Sequence, residues 1–441
     1  MSALAEPQAA AVPSRAEVKD LLAKALSRAT AEHVEAGLLA TSEGSTRFSG
    51  NAITQNIAES DCRLWVKAAF GQRAGQADTN DLSDEGIARA VARAEAAAKA
   101  SAPDLEYLPP VPPQAVVDAE EFDPATAGAD PEARAAWIRA AIRAAGNDAP
   151  LSGSTATTTM ARAVANSRGH FAFHRDTRAR FTATAVAPDS TGWAEGQSWR
   201  MGDLDPAALA RRASEKARLG AHPRTLEPGT YPVILEPAAA AEYLSFLLWS
   251  MDAKAAEEGR SCMSGKLGTT VANPTVTLTS DPARPGCQTA PFLADGLPIP
   301  RTPWIEKGVL KNLATSRFWA QKSGKAPTGD PANLLVDGGK TPLEEMIRST
   351  ERGILVTRFW YIRFVEPMTL LLTGMTRDGL FWIENGKVSH GLKNLRFNES
   401  PFRTLQHVEA LGTPERCGEY HTSLVPPMKI SRFTFSSGTT F

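Results

Sequence analysis

The chain has 441 residues, more than one ordinary hydrophobic core organises, so two to four domains or subdomains are expected. Its 48 Lys and Arg against 49 Asp and Glu leave a formal net charge of −1, with no excess of either sign to attract nucleic acid or a membrane surface. Four scattered cysteines without a CxxC, and no apolar run near the ~18 residues of a membrane span, argue against a disulfide framework, a zinc ribbon and a membrane protein, and for a cytoplasmic one.

The opening MSALAEPQAAAVPSRAE lacks the basic and continuous apolar regions of a secretory signal, so export is not expected. Ser14 and Glu17 then form a capping box, and Val18, Leu21, Leu22, Ala25, Leu26 and Ala29 recur at helical spacing, which predicts a first helix. From Gly37 to Gly71, short β-compatible runs separated by Gly, Ser and Asn predict an antiparallel meander. Ser83 caps a second helix, DEGIARAVARAEAAAKA. Between Ala100 and Pro131 the text around LPPVPPQ reads as an extended connector, and a domain boundary is placed there. Asp130 and Pro131 open a helix bearing Trp137, Ile138, Ala141 and Ile142 on one side. Two strand-like stretches follow, joined through Asn166, Ser167, Arg168 and Gly169, and Asp205 and Pro206 begin another helix. The divisions are 14–105, 115–226 and 228–441. The fold class is α+β: two smaller N-terminal subdomains with antiparallel sheets and helices, followed by a large mixed C-terminal domain rich in both elements.

Motifs that would fix a chemistry are mostly missing. GRSCMSGKL, Gly259 to Leu267, departs from the spacing of a phosphate loop, and no GxGxxG or GxSxG is present. His170 and His174 have the i, i+4 spacing of a helical metal pair. Gly169 and the alternation through Arg178, Arg180, Thr182 and Thr184 make the segment a strand instead, where such residues stand about 13 Å apart; a solvated strand pair is expected. Cys417 and His421 in ERCGEYH, with His407 upstream, are a second candidate, as a metal site or an activated thiol if they converge. A buried thiol and an exposed histidine are the plainer alternative. In LEPAAAAEYLSFLLWSMD, Leu235 to Asp252, the single acid Glu242 sits inside an apolar helix and is either catalytic or structural. WIEKGVLKN and FWIENGKV read as hairpins. The aromatic and basic run RFWYIRF, Arg358 to Phe364, is a candidate cleft lining, with core packing of Phe359, Tyr361 and Phe364 as the default.

GRSCMSGKLGTTVANPTVTLTSDP, PFLADGLPIPRTPWIEKGVLKNLATSRFWAQKSGKAPTG, LEEMIRSTERGILVTRFWYIRFVEPMTLLLTGMTRDGLFWIENGKV and KNLRFNESP together strongly resemble the TldD/PmbA family, in which PmbA is also called TldE. NDLSDEGIARAVARAEAAAKA and NSRG extend the resemblance over nearly the whole chain. It implies a cytoplasmic metallopeptidase of two related subunits that matures or degrades peptides. TldD-type subunits carry an HExxxH helix, with a cysteine near the C-terminus completing the metal site; TldE-type subunits lack the helix motif. Laid on HExxxH, this chain has Ala241 and Phe246 at the two histidine places and Glu242 at the glutamate, and neither Ala nor Phe offers a donor atom.

The resemblance therefore implies a noncatalytic TldE-like subunit with no cofactor or metal of its own. Zinc or a similar divalent ion is expected in a TldD-like, HExxxH-bearing partner. The expected partners are that subunit and an unfolded peptide, or a second copy in a homodimer, and neither nucleic acid nor a membrane. Glu242 is read as a structural acid, salt-bridged or at an interface edge. The alternatives are a divergent stand-alone hydrolase built on Glu242, Cys417 or His421, and a peptide-binding scaffold without proteolytic activity.

Overall fold

The computed structural model describes residues 12–146, 149–418 and 422–439. It opens with α1 (Arg15–Arg28), whose capping box forms as the sequence predicts: the Ser14 N–H donates to Glu17 Oε2 at 2.7 Å, and the Glu17 N–H to Ser14 Oγ at 3.4 Å. Next come β1 (His33–Ser49), β2 (Ala52–Phe70), β3 (Arg73–Thr79) and α2 (Asp84–Ala100), the last capped by Ser83. The expected meander of short runs is instead a hairpin of 17- and 19-residue strands. Gly44 and Ser45 stay extended opposite Ala58 and Ile57, and the chain reverses at Gly50 and Asn51, both with positive φ as a two-residue type I′ turn requires.

The Pro-rich connector is extended, but it is strapped down. Asn166 Nδ2 donates to the Val111 carbonyl at 2.8 Å and Arg168 Nη1 to that of Pro110 at 2.9 Å. Beyond it lie α3 (Pro124–Ala127), α4 (Pro131–Ala145), β4 (Leu151–Asn166), β5 (Phe171–Val186), β6 (Thr191–Ser198) and α5 (Pro206–Leu219). Asp130 and Asp205 cap α4 and α5 ahead of first-turn prolines. All six strands form one antiparallel sheet, β3-β2-β1-β4-β5-β6. The β1–β4 ladder pairs Glu35–Phe48 with Gly153–Asn166, so the two N-terminal units share a sheet and differ in their cores. Val18, Leu22, Ile87 and Val91 fill one; Ile138, Phe181 and Ala213 fill the other.

The C-terminal domain contains β7 (Gly229–Leu235), α6 (Pro237–Leu248), α7 (Ala253–Glu257), β8 (Leu278–Ser280), β9 (Thr302–Glu306), β10 (Val309–Leu310), α8 (Arg317–Ser323), β11 (Leu334–Val336) and α9 (Leu343–Arg348). It continues through β12 (Arg352–Glu366), β13 (Leu371–Glu384), β14 (Lys387–Gly391), β15 (Leu395–Glu399), α10 (Pro401–Gln406), β16 (Val408–Leu411), β17 (Glu415–Cys417), β18 (Ser423–Val425) and β19 (Met428–Gly438). Both predicted hairpins form, as β9–β10 and β13–β14. Strands β12, β7, β19, β15 and β13 pair successively, and β13 pairs back to β12, closing a five-membered ring. Phe359, Phe397 and Phe433 meet in its core, and α6 sends Tyr243 among them with ring centroids 5.8, 5.9 and 6.0 Å away. A second sheet runs β10-β9-β8-β11-β18-β17. The whole is a mixed α+β architecture with two smaller N-terminal units and a larger C-terminal domain. No helix among the described residues is long and apolar enough to cross a membrane.

Candidate functional site

Helix α6 begins at Glu236 and Pro237, one residue past the end of β7, and the apolar run that follows is buried nearly all round. Ala241 and Leu244 are each 1% exposed, and Phe246 is 5% exposed. Phe246 packs edge-on against Trp249 and Phe364, with centroids 4.7 and 5.1 Å apart. The two positions that the resemblance assigns to metal-binding histidines therefore hold hydrocarbon in a filled core. Glu242 lies between them on the same helix, half-buried. Among the described residues no three His, Cys, Asp or Glu side chains converge as a metal-binding group. The residues present on α6 do not fit an HExxxH metal centre.

Cys417, on β17, is 3% exposed; burial first, then the carboxylates of Glu195 and Glu415, push its thiol well above the ordinary range. A thiol held protonated packs rather than attacks. It shares a crevice of about 20 Å³ with Glu236, Pro237 and Ala238, at the first turn of α6, and that volume admits no substrate. His421 lies outside the described residues.

His174 lies on β5 as the strand reading expected and His170 immediately precedes that strand, but the expected solvation is wrong: His170 and His174 are 2% and 3% exposed. The C-terminal domain covers this face of the first sheet, which local alternation could not reveal. His170 Nδ1 accepts from the Gln114 N–H at 3.3 Å, so Nε2 donates to the Gly296 carbonyl at 2.9 Å. Gly296 has φ +84, and a Cβ there would lie 2.6 Å from the His170 ring. His174 Nε2 instead meets Asp176 Oδ2 at 3.1 Å.

The run RFWYIRF departs from its default expectation. Phe359 is in the core, but Tyr361 and Phe364 are 57% and 40% exposed, with Trp360 beside them. Irregular pairing between Trp360 and Arg363, with Tyr361 at φ +57, breaks the inward–outward alternation. Phe364 and Trp249 both pack on Phe246 near the end of α6, Trp360 lies 5.6 Å from Tyr361, and Val365 and Met368 are exposed as well. Arg363 lies over the Tyr361 ring and Arg377 over Trp360, at 4.1 and 4.4 Å.

A polar cleft of about 310 Å³ lies where the first sheet faces β17. Its floor is set by strand register: Glu43, Thr158 and Arg178 stand in one row across β1, β4 and β5, and Ser45, Ala156, Arg180 and Gln197 in the next. Arg416 forms part of the opposite wall, its side chain 10% exposed. Arg416 Nη1 lies 3.5 Å from Glu121 and donates to the Gly286 carbonyl at 3.0 Å, while Nε has no hydrogen-bond partner among the described residues. Asp176 is buried on the same face; burial alone would raise its pKa, but the His174 hydrogen bond and the charges of Arg178 and Arg416 hold the carboxyl below the ordinary range. Sequence reasoning missed this site. Arginines at i and i+2 on a predicted strand were a signal for its floor, but nothing local brings Arg416 to face them.

Three family models match in succession: PmbA/TldA metallopeptidase domain 1 at residues 34–98, the central domain at 109–220 and the C-terminal domain at 228–437. A protein of Methanothermobacter thermautotrophicus named Metalloprotease is 25% identical over 285 residues, 58% of this chain and 61% of its own length, so less than two thirds of that relative is spanned. Metalloprotease PmbA of Escherichia coli is 22% identical over 399 residues, covering 84% of this chain and 86% of that protein. The crystal structure of TldE from Thermococcus kodakarensis shares the fold with a TM-score of 0.84 at 18% identity, covering 95% of this chain and 99% of that one.

Proposed function

Because the chain belongs to the PmbA/TldD metallopeptidase family along most of its length, we propose that it is a noncatalytic, TldE-like subunit acting in the cytoplasm. It joins a TldD-like, HExxxH-bearing subunit and helps hold an unfolded peptide, while that partner supplies the metal, the attacking water and the general base. The observation that carries this reading is the filled helix α6. Ala241 and Phe246 are core residues, and two metal donors there would have to displace packed hydrocarbon.

Two surfaces suit the supporting role. Residues 52–63 of β2 are bonded to β1, and among the described residues no strand pairs their other edge, since β3 ends opposite Leu64. An extended peptide or a partner strand can add to such an edge through main-chain bonds. The exposed aromatic pair Trp360 and Tyr361 offers the kind of anchors that concentrate binding energy at interfaces.

The test mixes the purified chain with an HExxxH-bearing subunit from the same cell, then measures complex formation by sedimentation and cleavage of an unstructured peptide. The chain alone should be inert and the complex active and EDTA-sensitive. Stoichiometric zinc with EDTA-sensitive cleavage by this chain alone would establish the stand-alone hydrolase instead. Failure to associate with such a subunit would favour the scaffold, and self-association without it the homodimer.

A further inference from the structure

The cleft between the first sheet and β17 is lined by four arginines, Arg47, Arg178, Arg180 and Arg416, against one carboxylate, Glu43. Carboxylates stand behind three of them, Asp176, Glu195 and Glu121, so what the cleft concentrates is guanidinium groups and not uncompensated charge. Two of the four are committed: Arg180 to Glu195 at 3.1 Å, and Arg416 to Glu121 and the Gly286 carbonyl. Arg178 is ion-paired with Asp176 at 3.5 Å but makes no hydrogen bond to it, and the Arg47 side chain has neither ion pair nor hydrogen bond among the described residues. Both are accessible, so Arg47, and Arg178 on the side away from Asp176, can receive a planar, bidentate anion.

We infer that this cleft binds the carboxylate of an extended peptide, either its C-terminus or an acidic side chain, on Arg178 and Arg47. Register sets the spacing. Arg47 and Arg178 are two strands and four residues apart on one face, about 10 Å across and about 13 Å along the sheet. A compact ion meets one fork; an extended segment of about four residues can follow the floor between them. Ser45, Ser154 and Thr158 supply hydroxyls along that path, which suits main-chain amides and carbonyls more than apolar side chains. The choice of a peptide rests on the subunit role proposed above; the accessible guanidinium groups do not.

Calorimetric titration of the full chain, without any partner subunit, with three hexapeptides of neutral sequence tests this. One has a free C-terminus, one is amidated, and one is amidated but carries a single internal Glu. The amidated neutral peptide should bind at least about tenfold more weakly than one of the others, and which one identifies the carboxylate recognised. Of Arg178→Gln and Arg47→Gln, both at accessible positions, the one that removes the guanidinium holding the carboxylate should abolish that discrimination while the other weakens all three peptides alike, and raising salt should reduce it. Equal binding of all three peptides, no binding of any, or undiminished discrimination in both variants would overturn the inference. Because the partner is absent, none of these outcomes depends on whether a complex with an HExxxH-bearing subunit forms, which is decided separately.

Discussion

Glu242→Gln should leave partner-dependent peptide cleavage within about threefold of the unaltered complex, because the side chains at 241 and 246 give the carboxylate no bound metal to work beside. A fall of several orders of magnitude in kcat, with folding and assembly intact, would restore it to the chemistry. Asp176 behaves differently. Its folded-state pKa lies below the ordinary 3.8, so its ion pairs add stability above that value and lose it as pH falls through the folded pKa. The stability gap between the unaltered chain and Asp176→Asn, followed by urea denaturation, should be level from pH 8 to about 5 and close below about 4. At this scale the sequence was readable where identity alone decides, as at Ala241 and Phe246. It was not readable where exposure decides: Tyr361 and Phe364 look like core residues until a break in pairing turns them outward.

The contact between α5 and α6 shows how elements are held in register. Glu236, at the start of α6, makes no side-chain cap bond; it accepts from Lys216 Nζ at 2.7 Å and Arg212 Nη2 at 2.9 Å, both on α5. Burial lowers the Lys216 ammonium to about 8, only partly offset by Glu236. Because the unfolded chain holds that proton more tightly, this lysine makes stability rise as pH climbs from about 8 towards its ordinary 10.5. Glu236→Gln strands Lys216 without its carboxylate and should cost about 3–5 kcal/mol in chemical denaturation at pH 7, with α5 and α6 losing hydrogen-exchange protection together. A cost below about 1 kcal/mol would mean that the pair is not what joins these helices. The helix starts were legible from Ser14, Asp130 and Asp205 because caps are local chemistry. The length of the β1–β2 hairpin was not, because nothing local distinguishes Gly44 in a ladder from Gly44 in a turn.

Across the whole molecule, the N-terminal sheet and the C-terminal domain are joined through a few specific contacts. One is the His170 ring lying against Gly296. Gly296→Ala places a methyl 2.6 Å from that ring at a backbone angle that alanine resists, so it should destabilise the chain by about 1–3 kcal/mol and speed proteolysis of the Pro-rich connector. Unchanged melting and digestion would show that the two halves do not depend on this contact. The order of the units was legible from composition and turn signals. Their sharing of one sheet was not, since the β1–β4 ladder joins Glu35 to Asn166 across the connector. The closed ring has a consequence in time. Its first strand, β7, bonds to its last, β19, about 200 residues later in synthesis, whereas the whole β1–β2 hairpin, from His33 to Phe70, spans only 38 residues. During translation the first hairpin can therefore close at once, while β7 waits with an open edge for almost the entire domain to be made. That interval is where a chaperone, or a premature stop before Met428, would decide the fate of the chain.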